Sequence, residues 1–262
     1  MSSSSSQDAQ QNPAQEMNLS GRRILITGGA RGLGESFARA LIASGASVVV
    51  TDILVQEGVA LARDLGPRAH FLEMNNADPA SIQEGVQAAA SWLGGIDGLV
   101  NNAAITNSGG VAHEDLTIET WDRVMQVNVR GTWLTTVAAR PFLIQSQSGR
   151  VVNIASDTAL WGAPNLLAYV ASKGAVVSMT KSLARELGEH LVTVNAIAPG
   201  LTLVQATEYV PQHRHDYYEQ GRAIKAAQMP ADINAAVMFL LSRGSAYVTG
   251  QVLAVNGGFV MH

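Results

Sequence analysis

The chain has 262 residues, a length that suits one large α/β domain or two small ones, and its 47% hydrophobic and 15% charged residues are ample material for a well-buried core. Its formal net charge of −4 comes without a basic stripe, which argues against nucleic acid as a partner. The lack of cysteine excludes disulfides and thiolate metal sites and fits a reducing compartment such as the cytoplasm. No apolar run approaches the roughly 18 residues of a membrane span, so no membrane partner is expected.

Residues 1–18 are rich in Ser, Gln and Asn and lack the apolar centre of a signal peptide. This composition predicts a disordered tail. Residues 19–262 show no linker composition and no internal repeat, which predicts a single domain.

The first predicted strand is the short apolar run 24–26. It leads into Thr-Gly-Gly-Ala-Arg-Gly-Leu-Gly at 27–34 and then into a helical pattern at 35–41. Strand, glycine-rich turn and helix together place backbone N–H groups where they bind a phosphate, and glycine lets a pyrophosphate approach closely. A plain glycine-rich turn is the alternative, since a glycine pattern alone is weak evidence.

Residues 47–51 predict the second strand, and Asp52 stands at its end, 18 residues after Gly34. A carboxylate at this place accepts hydrogen bonds from a ribose diol and repels a 2′-phosphate, which favours NAD over NADP. Arg31 in the glycine loop instead favours NADP, because its positive charge would attract the 2′-phosphate. No basic residue follows Asp52 directly, so NAD is the expected cofactor.

The alternation of strands and helices continues to the end of the chain. Further strands are predicted at 69–72, 97–100, 150–154, 192–196 and 251–255, and helices at 79–92, 118–145 (interrupted near Gly131) and 166–187. This order predicts a doubly wound parallel sheet of the Rossmann type, with about seven strands and helices on both faces. Ligands bind outside the carboxyl ends of such strands, and the glycine loop, Asp52, 101–104, Ser156 and 198–202 all follow strands.

Tyr169 and Lys173 lie one turn apart on the same face of the predicted helix 166–187. A phenol with a free pKa of about 10 is a poor acid–base group near neutrality. A cation one turn away favours the phenolate and lowers that pKa. The pair is a candidate proton-transfer device, although in isolation a partly buried Tyr and a solvated Lys would be the commoner interpretation.

These motifs together resemble the short-chain dehydrogenase/reductase family, over essentially residues 19–260. The matching segments are TGxxxGxG at 27–34, an NNAG-like motif at Asn101-Asn102-Ala103-Ala104, the catalytic Ser156, YxxxK at Tyr169 and Lys173, the helix residue Asn128, and Pro199-Gly200 before the substrate loop. Each motif alone is weak or moderate. Six of them in order, at the family's spacing, are strong.

The resemblance implies a role for each residue of a catalytic tetrad. Tyr169 is expected to be the acid–base residue, and Lys173 to lower its pKa and to hydrogen-bond the nicotinamide ribose. Ser156 is expected to hold the substrate oxygen, as in an oxyanion hole. Asn128 is expected to fix a water that links Lys173 to solvent. The resemblance also implies a homotetramer, for which the helix of Tyr169 and the apolar run 251–261 are candidate interfaces.

The resemblance also implies which residues bind the cofactor. They are Gly28, Arg31, Gly32, Leu33, Gly34, Asp52, Ile53, Asn75, Asn76, Asn102, Ala103, Ala104, Tyr169, Lys173, Pro199, Gly200 and Thr202. Three positions depart from the family pattern, and one of them, Asn256 where Asp is usual, is expected to be structural. Asn75 stands where Asp is frequent in the segment that contacts adenine, and Val204 where Thr is frequent, which leaves Thr202 to hold the nicotinamide carboxamide.

Residues 201–229 contain no predicted strand and are long for a connection, which is typical of a lid over a functional site. The candidate substrate-pocket residues are Ser156, Thr158, Trp161 and Tyr209, and Asp157 and Leu160 are expected to line the same wall as Thr158 and Trp161. Trp161 favours a ring or hydrocarbon substrate, while Arg214, Arg222 and Lys225 leave an anionic substrate group open. His213 and His215 predict no metal site, since no acid cluster lies near them in the sequence.

The expected function is hydride transfer between NAD(H) and a secondary alcohol or ketone, cyclic or aromatic. One alternative is an NADPH-dependent ketoreductase of the 3-oxoacyl-carrier-protein type. Another is a non-catalytic dinucleotide-binding protein, which the complete tetrad disfavours.

Overall fold

The computed structural model of the chain describes residues 17–107 and 110–261. The predicted disordered tail therefore lies outside the described residues, apart from Met17 and Asn18. The described part contains a seven-stranded sheet in the order β3-β2-β1-β4-β5-β6-β7, with every neighbouring pair parallel. The strands are β1 Arg23–Thr27, β2 Ser47–Asp52, β3 Ala69–Glu73, β4 Gly98–Asn101, β5 Arg150–Ile154, β6 Thr193–Pro199 and β7 Val252–Val255.

Helices cover both faces of the sheet. They are α1 Gly32–Ala43, α2 Val55–Leu65, α3 Pro79–Leu93, α4 Ile118–Met125, α5 Thr132–Gln145, α6 Thr158–Trp161, α7 Leu167–Gly188, α8 Gln212–Gly221 and α9 Ala231–Leu241. The predicted doubly wound parallel sheet is confirmed. Among the described residues, no helix combines the length and apolar character needed to cross a membrane.

Successive strand residues enter two different hydrophobic cores, because side chains alternate across a sheet. Ile24 and Ile26 of β1 pack with α1, α2 and α9 on one face. Leu25, between them, packs with α3, α5 and α7 on the other. A strand buried on both faces has no polar side to show, which is why the strands are short continuous apolar runs.

The interruption predicted near Gly131 is a change of helix type rather than a break. Gln126–Gly131 forms a π-helical segment that joins α4 to α5 without a loop. A Cβ on Gly131 would lie 2.5 Å from the carbonyl oxygen of Asn76, so glycine lets this segment press against the connection after β3. The wider turn places Asn128 on the inner side of the helix, where its side chain is buried.

We predict that Gly34→Ala, in the first turn of α1, destabilises the protein by about 1–3 kcal/mol and weakens dinucleotide binding. A Cβ at this position would lie 2.5 Å from the carbonyl oxygen of Gly28 and 2.6 Å from Cα of Gly29, both backbone atoms that cannot move aside. Thermal unfolding and binding titration measure the two effects.

Gly188→Ala is the matched control, because nothing lies within 4 Å of a Cβ there at the end of α7. We expect its stability to equal that of the wild type or to exceed it by up to about 1 kcal/mol. Equal stability of both variants would contradict the packing argument.

Candidate active site

The predicted cofactor residues all lie at the carboxyl edge of the sheet or on α7. Gly28, Arg31, Gly32, Leu33 and Gly34 follow β1; Asp52 ends β2 and Ile53 follows it; Asn75 and Asn76 follow β3; Asn102, Ala103 and Ala104 follow β4; Pro199 ends β6, and Gly200 and Thr202 follow it. Their roles toward a cofactor remain predictions, and the structure shows what each one contacts.

The glycine loop leaves the N-terminus of α1 open. Gly28 and Gly32 have φ of +61° and +64°, which glycine adopts without strain, and a Cβ on Gly28 would lie 2.5 Å from Cα of Ala103. Arg31, just before the helix, makes no side-chain capping bond to the first N–H groups. Free N–H groups and the positive end of a helix dipole suit a pyrophosphate, so the loop fits the predicted dinucleotide.

Asn102 braces this loop from the next strand. Its Nδ2 donates hydrogen bonds to the carbonyl oxygens of Thr27 (3.1 Å) and Gly28 (2.6 Å). The Thr27 hydroxyl in turn accepts from the backbone N–H groups of Asn102 and Ala103, at 3.1 Å each. The NNAG-like motif therefore holds the shape of the glycine loop.

Asp52 is fixed by backbone donors at the end of β2. Its carboxylate accepts hydrogen bonds from the N–H groups of Ala30 (3.0 Å), Ile53 (2.8 Å) and Leu54 (3.2 Å). A carboxylate has about four lone-pair positions, so acceptor capacity remains for a ribose hydroxyl. The neighbouring Ile53 is 61% exposed and offers an apolar surface beside it.

The two asparagines after β3 lie in different surroundings. Asn76 is buried under Gly131, whereas Asn75 is exposed and its Oδ1 accepts from the N–H of Ala77 at 2.9 Å. The carboxamide of Asn75 thus takes part in a local turn in addition to any contact with adenine.

Lys173 joins α7 to the end of β5. Its Nζ donates a 2.6 Å hydrogen bond to the carbonyl oxygen of Ile154 and lies 5.7 Å from the ring centre of Tyr169. Burial lowers the pKa of Lys173 to about 8, because the charged form loses its hydration. The ammonium is thus held between the strand end and the phenol ring.

The expected lowering of the Tyr169 pKa by Lys173 is wrong for this structure. Burial raises the pKa of Tyr169 above its usual value, and the nearby Ser156 hydroxyl opposes that rise only in part. The negative charge of Asp157 raises it further. Lys173 makes its hydrogen bond to a backbone carbonyl, so the neutral phenol is the favoured form near pH 7.

Ser156 and Thr158 form one unit after β5. The Thr158 hydroxyl donates to Oγ of Ser156 at 2.9 Å, and the Thr158 N–H donates to the same atom at 3.3 Å. Both residues are buried. Thr158, predicted to line the substrate pocket, therefore contacts the hydroxyl oxygen of Ser156. The Ser156 hydroxyl also lies next to the phenol of Tyr169.

The side chain of Asn128 is engaged with protein atoms. Its Oδ1 accepts from the Ile105 N–H at 2.8 Å, and its Nδ2 donates to the Ile105 carbonyl (3.1 Å) and to Oγ of Ser172 (3.0 Å). Both amide protons are thus used in tying the segment after β4 to α7. The predicted water-holding role remains a prediction.

The segment 201–229 is tied to the site at several points. Thr202 and Gln228 pair at its two ends in an isolated bridge, and the hydroxyl of buried Thr202 donates to the Gly200 carbonyl at 3.0 Å. The Tyr209 hydroxyl donates to the Thr106 carbonyl at 2.8 Å, on the far side of the cleft. Tyr209 thus reaches the segment after β4, as a wall residue would.

Arg222 and Asp157 have structural partners that the sequence did not reveal. Arg222 is buried, and its guanidinium donates to the carbonyls of Leu201 (2.6 Å) and Ala226 (2.8 Å), so it braces the base of the segment instead of facing an anionic substrate. Asp157 is fully buried and accepts a 2.9 Å hydrogen bond from the Tyr218 hydroxyl. Burial raises the pKa of Asp157 to about 6, against the opposing influence of Tyr218, Asn256 and Arg222.

His213 and His215 lie on α8. Within residues 17–107 and 110–261, no group of three or more His, Asp or Glu side chains is placed to hold a metal ion.

Comparison with known proteins identifies the family. Residues 28–260 match the family model described as enoyl-(acyl carrier protein) reductase. A 3-alpha-(or 20-beta)-hydroxysteroid dehydrogenase of Mycobacterium tuberculosis is 38% identical over 242 residues, which cover 92% of this chain and 90% of that protein. A 3-oxoacyl-(acyl-carrier-protein) reductase of Thermotoga maritima is 34% identical over 252 residues, which cover 94% of this chain and all of the relative.

A solved structure from Brucella melitensis, described as a short-chain dehydrogenase/reductase of the glucose/ribitol dehydrogenase type, superposes with a TM-score of 0.87. It is 30% identical and covers 94% of this chain and 99% of its own. The chain belongs to the short-chain dehydrogenase/reductase family. It is an oxidoreductase that transfers a hydride between a nicotinamide dinucleotide and a secondary alcohol or its ketone.

We predict that Asp157→Asn changes how stability depends on pH. Native Asp157 keeps its proton up to about pH 6, whereas the unfolded chain loses it near 3.8. Between these values the native state binds more protons, so this carboxyl destabilises the wild type increasingly as pH rises. The free energy of unfolding of the wild type should fall by about 2–3 kcal/mol relative to the variant between pH 3 and pH 7.

Denaturant unfolding of both proteins across this pH range measures the difference. A difference that stays constant with pH would show that Asp157 titrates normally in the native state.

Proposed function

We propose that this protein is an NAD-dependent dehydrogenase/reductase for ring-containing secondary alcohols and ketones, with Asn128, Ser156, Tyr169 and Lys173 as its catalytic machinery. The observation that carries the proposal is the position of Tyr169, beside Ser156 and one turn from the buried ammonium of Lys173. A phenol, a hydroxyl and an ammonium are the groups needed to hold an alcohol oxygen and to move its proton.

The state of Tyr169 suits the reduction of a ketone near neutral pH. Bound nicotinamide dinucleotide would supply the hydride chemistry. Ser156, supported by the Thr158 hydroxyl, holds the substrate oxygen as negative charge develops there. Tyr169, whose raised pKa keeps it protonated, donates its proton to that oxygen. Oxidation of an alcohol needs the reverse proton movement and is therefore favoured at higher pH.

Asp52 supports NAD as the cofactor. Three backbone N–H groups hold its carboxylate at the end of β2, and the residue after it is the exposed, uncharged Ile53. A 2′-phosphate beside this carboxylate would be repelled, and no basic side chain directly follows to compensate.

Trp161 supports a ring substrate. It packs near Tyr217, Tyr218 and Phe259 with ring centres 5.6–6.1 Å apart, which makes an aromatic cluster that reaches Asp157, the residue after Ser156, through the Tyr218 hydroxyl. The relative described as a hydroxysteroid dehydrogenase acts, by its name, on a ring compound of this class.

The second candidate is an NADPH-dependent ketoreductase of the 3-oxoacyl-carrier-protein type. It is favoured by the relative of that name at 34% identity and by Arg31 in the glycine loop. A clear preference for NADPH, with activity on a 3-oxoacyl thioester, would establish it in place of the first.

The assembly we propose is a homotetramer that works in the cytoplasm. Trp133 and Val137 on α5 are each 49% exposed, and Trp133 shares a surface groove with Met125, Val129 and Met179 from the neighbouring helices. Leu253 of β7 and Met261 are also exposed, in the C-terminal run. Apolar surfaces of this kind support burial between subunits. The lack of cysteine supports a reducing compartment.

We predict that Tyr169→Phe lowers kcat for a secondary alcohol roughly 10²–10⁴-fold, because the proton donor and acceptor is lost. The affinity for NAD, measured by quenching of protein fluorescence, should change little. Tyr247→Phe, which alters a fully exposed tyrosine, is the control and should keep wild-type kinetics. Substantial activity of Tyr169→Phe would refute the mechanism.

We also predict that the protein binds NAD more tightly than NADP and that Asp52→Ala lowers this preference by about tenfold, equivalent to roughly 1.4 kcal/mol of lost discrimination. The ratio of the two dissociation constants is the measurement, because a general loss of loop stability weakens both cofactors alike. An unchanged ratio would remove Asp52 from the specificity argument.

A further inference from the structure

Two hydrogen bonds connect Tyr218, in the lid segment 201–229, to Trp161 and to Asp157, the residue that follows Ser156. The Trp161 indole N–H donates to the Tyr218 hydroxyl at 3.3 Å, and that hydroxyl donates to Oδ1 of Asp157 at 2.9 Å. Tyr218 lies on α8 and is only 2% exposed, although most of its helix faces solvent. The acceptor of the second hydrogen bond is the fully buried carboxylate of Asp157, and a hydrogen bond to a buried charge is strong.

The aromatic contacts place Tyr218 as the inward-facing residue of α8. Its ring stacks on Phe259 with centres 4.2 Å apart, and the Arg222 guanidinium lies 5.5 Å from its ring centre. Arg222 also holds both ends of the segment through the Leu201 and Ala226 carbonyls. Arg222 thus braces the base of the segment, and Tyr218 connects α8 to Asp157.

We propose that the hydrogen bond between Tyr218 and Asp157 is the closing contact of the lid, and that these two positioning residues set the affinity for substrate. Asp157 directly follows Ser156 in the chain. A hydrogen bond from α8 to Asp157 therefore also holds α8 close to Ser156, the residue proposed to bind the substrate oxygen. The Trp161 indole N–H donates to the same hydroxyl, which holds its ring beside Tyr218. The effect on substrate affinity rests on the proposed function, whereas the effect on the mobility of α8 does not.

Other charged or titratable groups around the contact do not replace it. Arg222 donates to carbonyl oxygens and to Oε1 of Gln228, while Tyr169 faces Ser156. The second oxygen of Asp157, Oδ2, accepts no hydrogen bond from the described residues. Asn256 lies close enough to lower the pKa of this carboxyl, but the Tyr218 hydroxyl is the side-chain donor that makes a hydrogen bond of good geometry to it, at 2.9 Å.

The test compares Tyr218→Phe with Tyr217→Phe by amide hydrogen exchange of peptides that cover residues 212–221. Tyr217 is the adjacent residue of α8, is half exposed, and makes no hydroxyl hydrogen bond within the described residues. We expect Tyr218→Phe to raise exchange roughly tenfold, since it loses a hydrogen bond to a charged group, and Tyr217→Phe to leave exchange unchanged. Equal exchange in both variants would overturn the proposal.

Two variants of Asp157 give a second, independent readout. Asp157→Asn keeps an acceptor for Tyr218 and should exchange nearly as slowly as the wild type. Asp157→Leu leaves no acceptor, so its rate of amide exchange should match that of Tyr218→Phe. The double variant Asp157→Leu/Tyr218→Phe should exchange no faster than either single variant, because both substitutions remove the same contact. Additive effects of the two substitutions would show that they do not share a contact.

Kinetics with NAD and cyclohexanol as the probe alcohol test the role in affinity. Tyr218→Phe should raise KM roughly three- to tenfold with little change in kcat, which marks lost substrate binding and not lost chemistry. A fall in kcat at constant KM would contradict the positioning role. Wild-type protein that is inactive on a panel of cyclic alcohols would instead count against the proposed function, while the exchange result would stand.

Discussion

The candidate active site depends on one buried charge. The ammonium of Lys173 is almost fully removed from water and donates to the carbonyl oxygen of Ile154 at 2.6 Å. A buried charge is costly unless it is hydrogen-bonded, so this contact fixes α7 against the carboxyl end of β5. Tyr169 lies one turn earlier on α7 and Ser156 two residues after Ile154, and the single contact therefore sets the distance between the phenol and the serine.

Buried amides extend this fixed region across three elements. Asn101 of β4 donates to Oδ1 of Asn153 in β5 at 2.9 Å, and Asn153 donates to the Thr180 hydroxyl in α7 at 2.9 Å. Asn128 ties the segment after β4 to Ser172 of the same helix. Hydrogen-bonded amides in a dry interior have few alternative arrangements, so these contacts hold the sheet edge and α7 together, although Oδ1 of Asn101 has no partner among the described residues. Segment 201–229 is the part that we propose as the lid, and closure and substrate choice would vary there.

Much of the fold could be predicted from the sequence because its signals are local. The strands β1 to β7 are apolar runs bounded by glycine or polar residues, and their predicted limits lie within a few residues of the observed ones. The glycine loop and Asp52 were recognisable because their spacing reflects the strand, turn and helix between them. The family resemblance then assigned expected roles to residues such as Ser156 that no local pattern singles out.

Other features could not be predicted because they depend on residues far apart in the chain. The π-helical turn at Asn128 needs the contact between Gly131 and Asn76, which spacing does not reveal. The direction of the Tyr169 pKa depends on burial, and a sequence shows a neighbouring Lys but not the loss of water. The contact of Asp157 with Tyr218 joins residues 61 positions apart, and nothing in either segment indicates the other.

A crystal structure of the protein with NAD and an unreactive cyclic alcohol analogue tests the central claim most directly. We expect the analogue's oxygen to lie within about 3 Å of both the Tyr169 hydroxyl and Oγ of Ser156, with Lys173 still donating to the Ile154 carbonyl. An analogue bound elsewhere in the cleft, or one whose oxygen contacts neither Tyr169 nor Ser156, would contradict it.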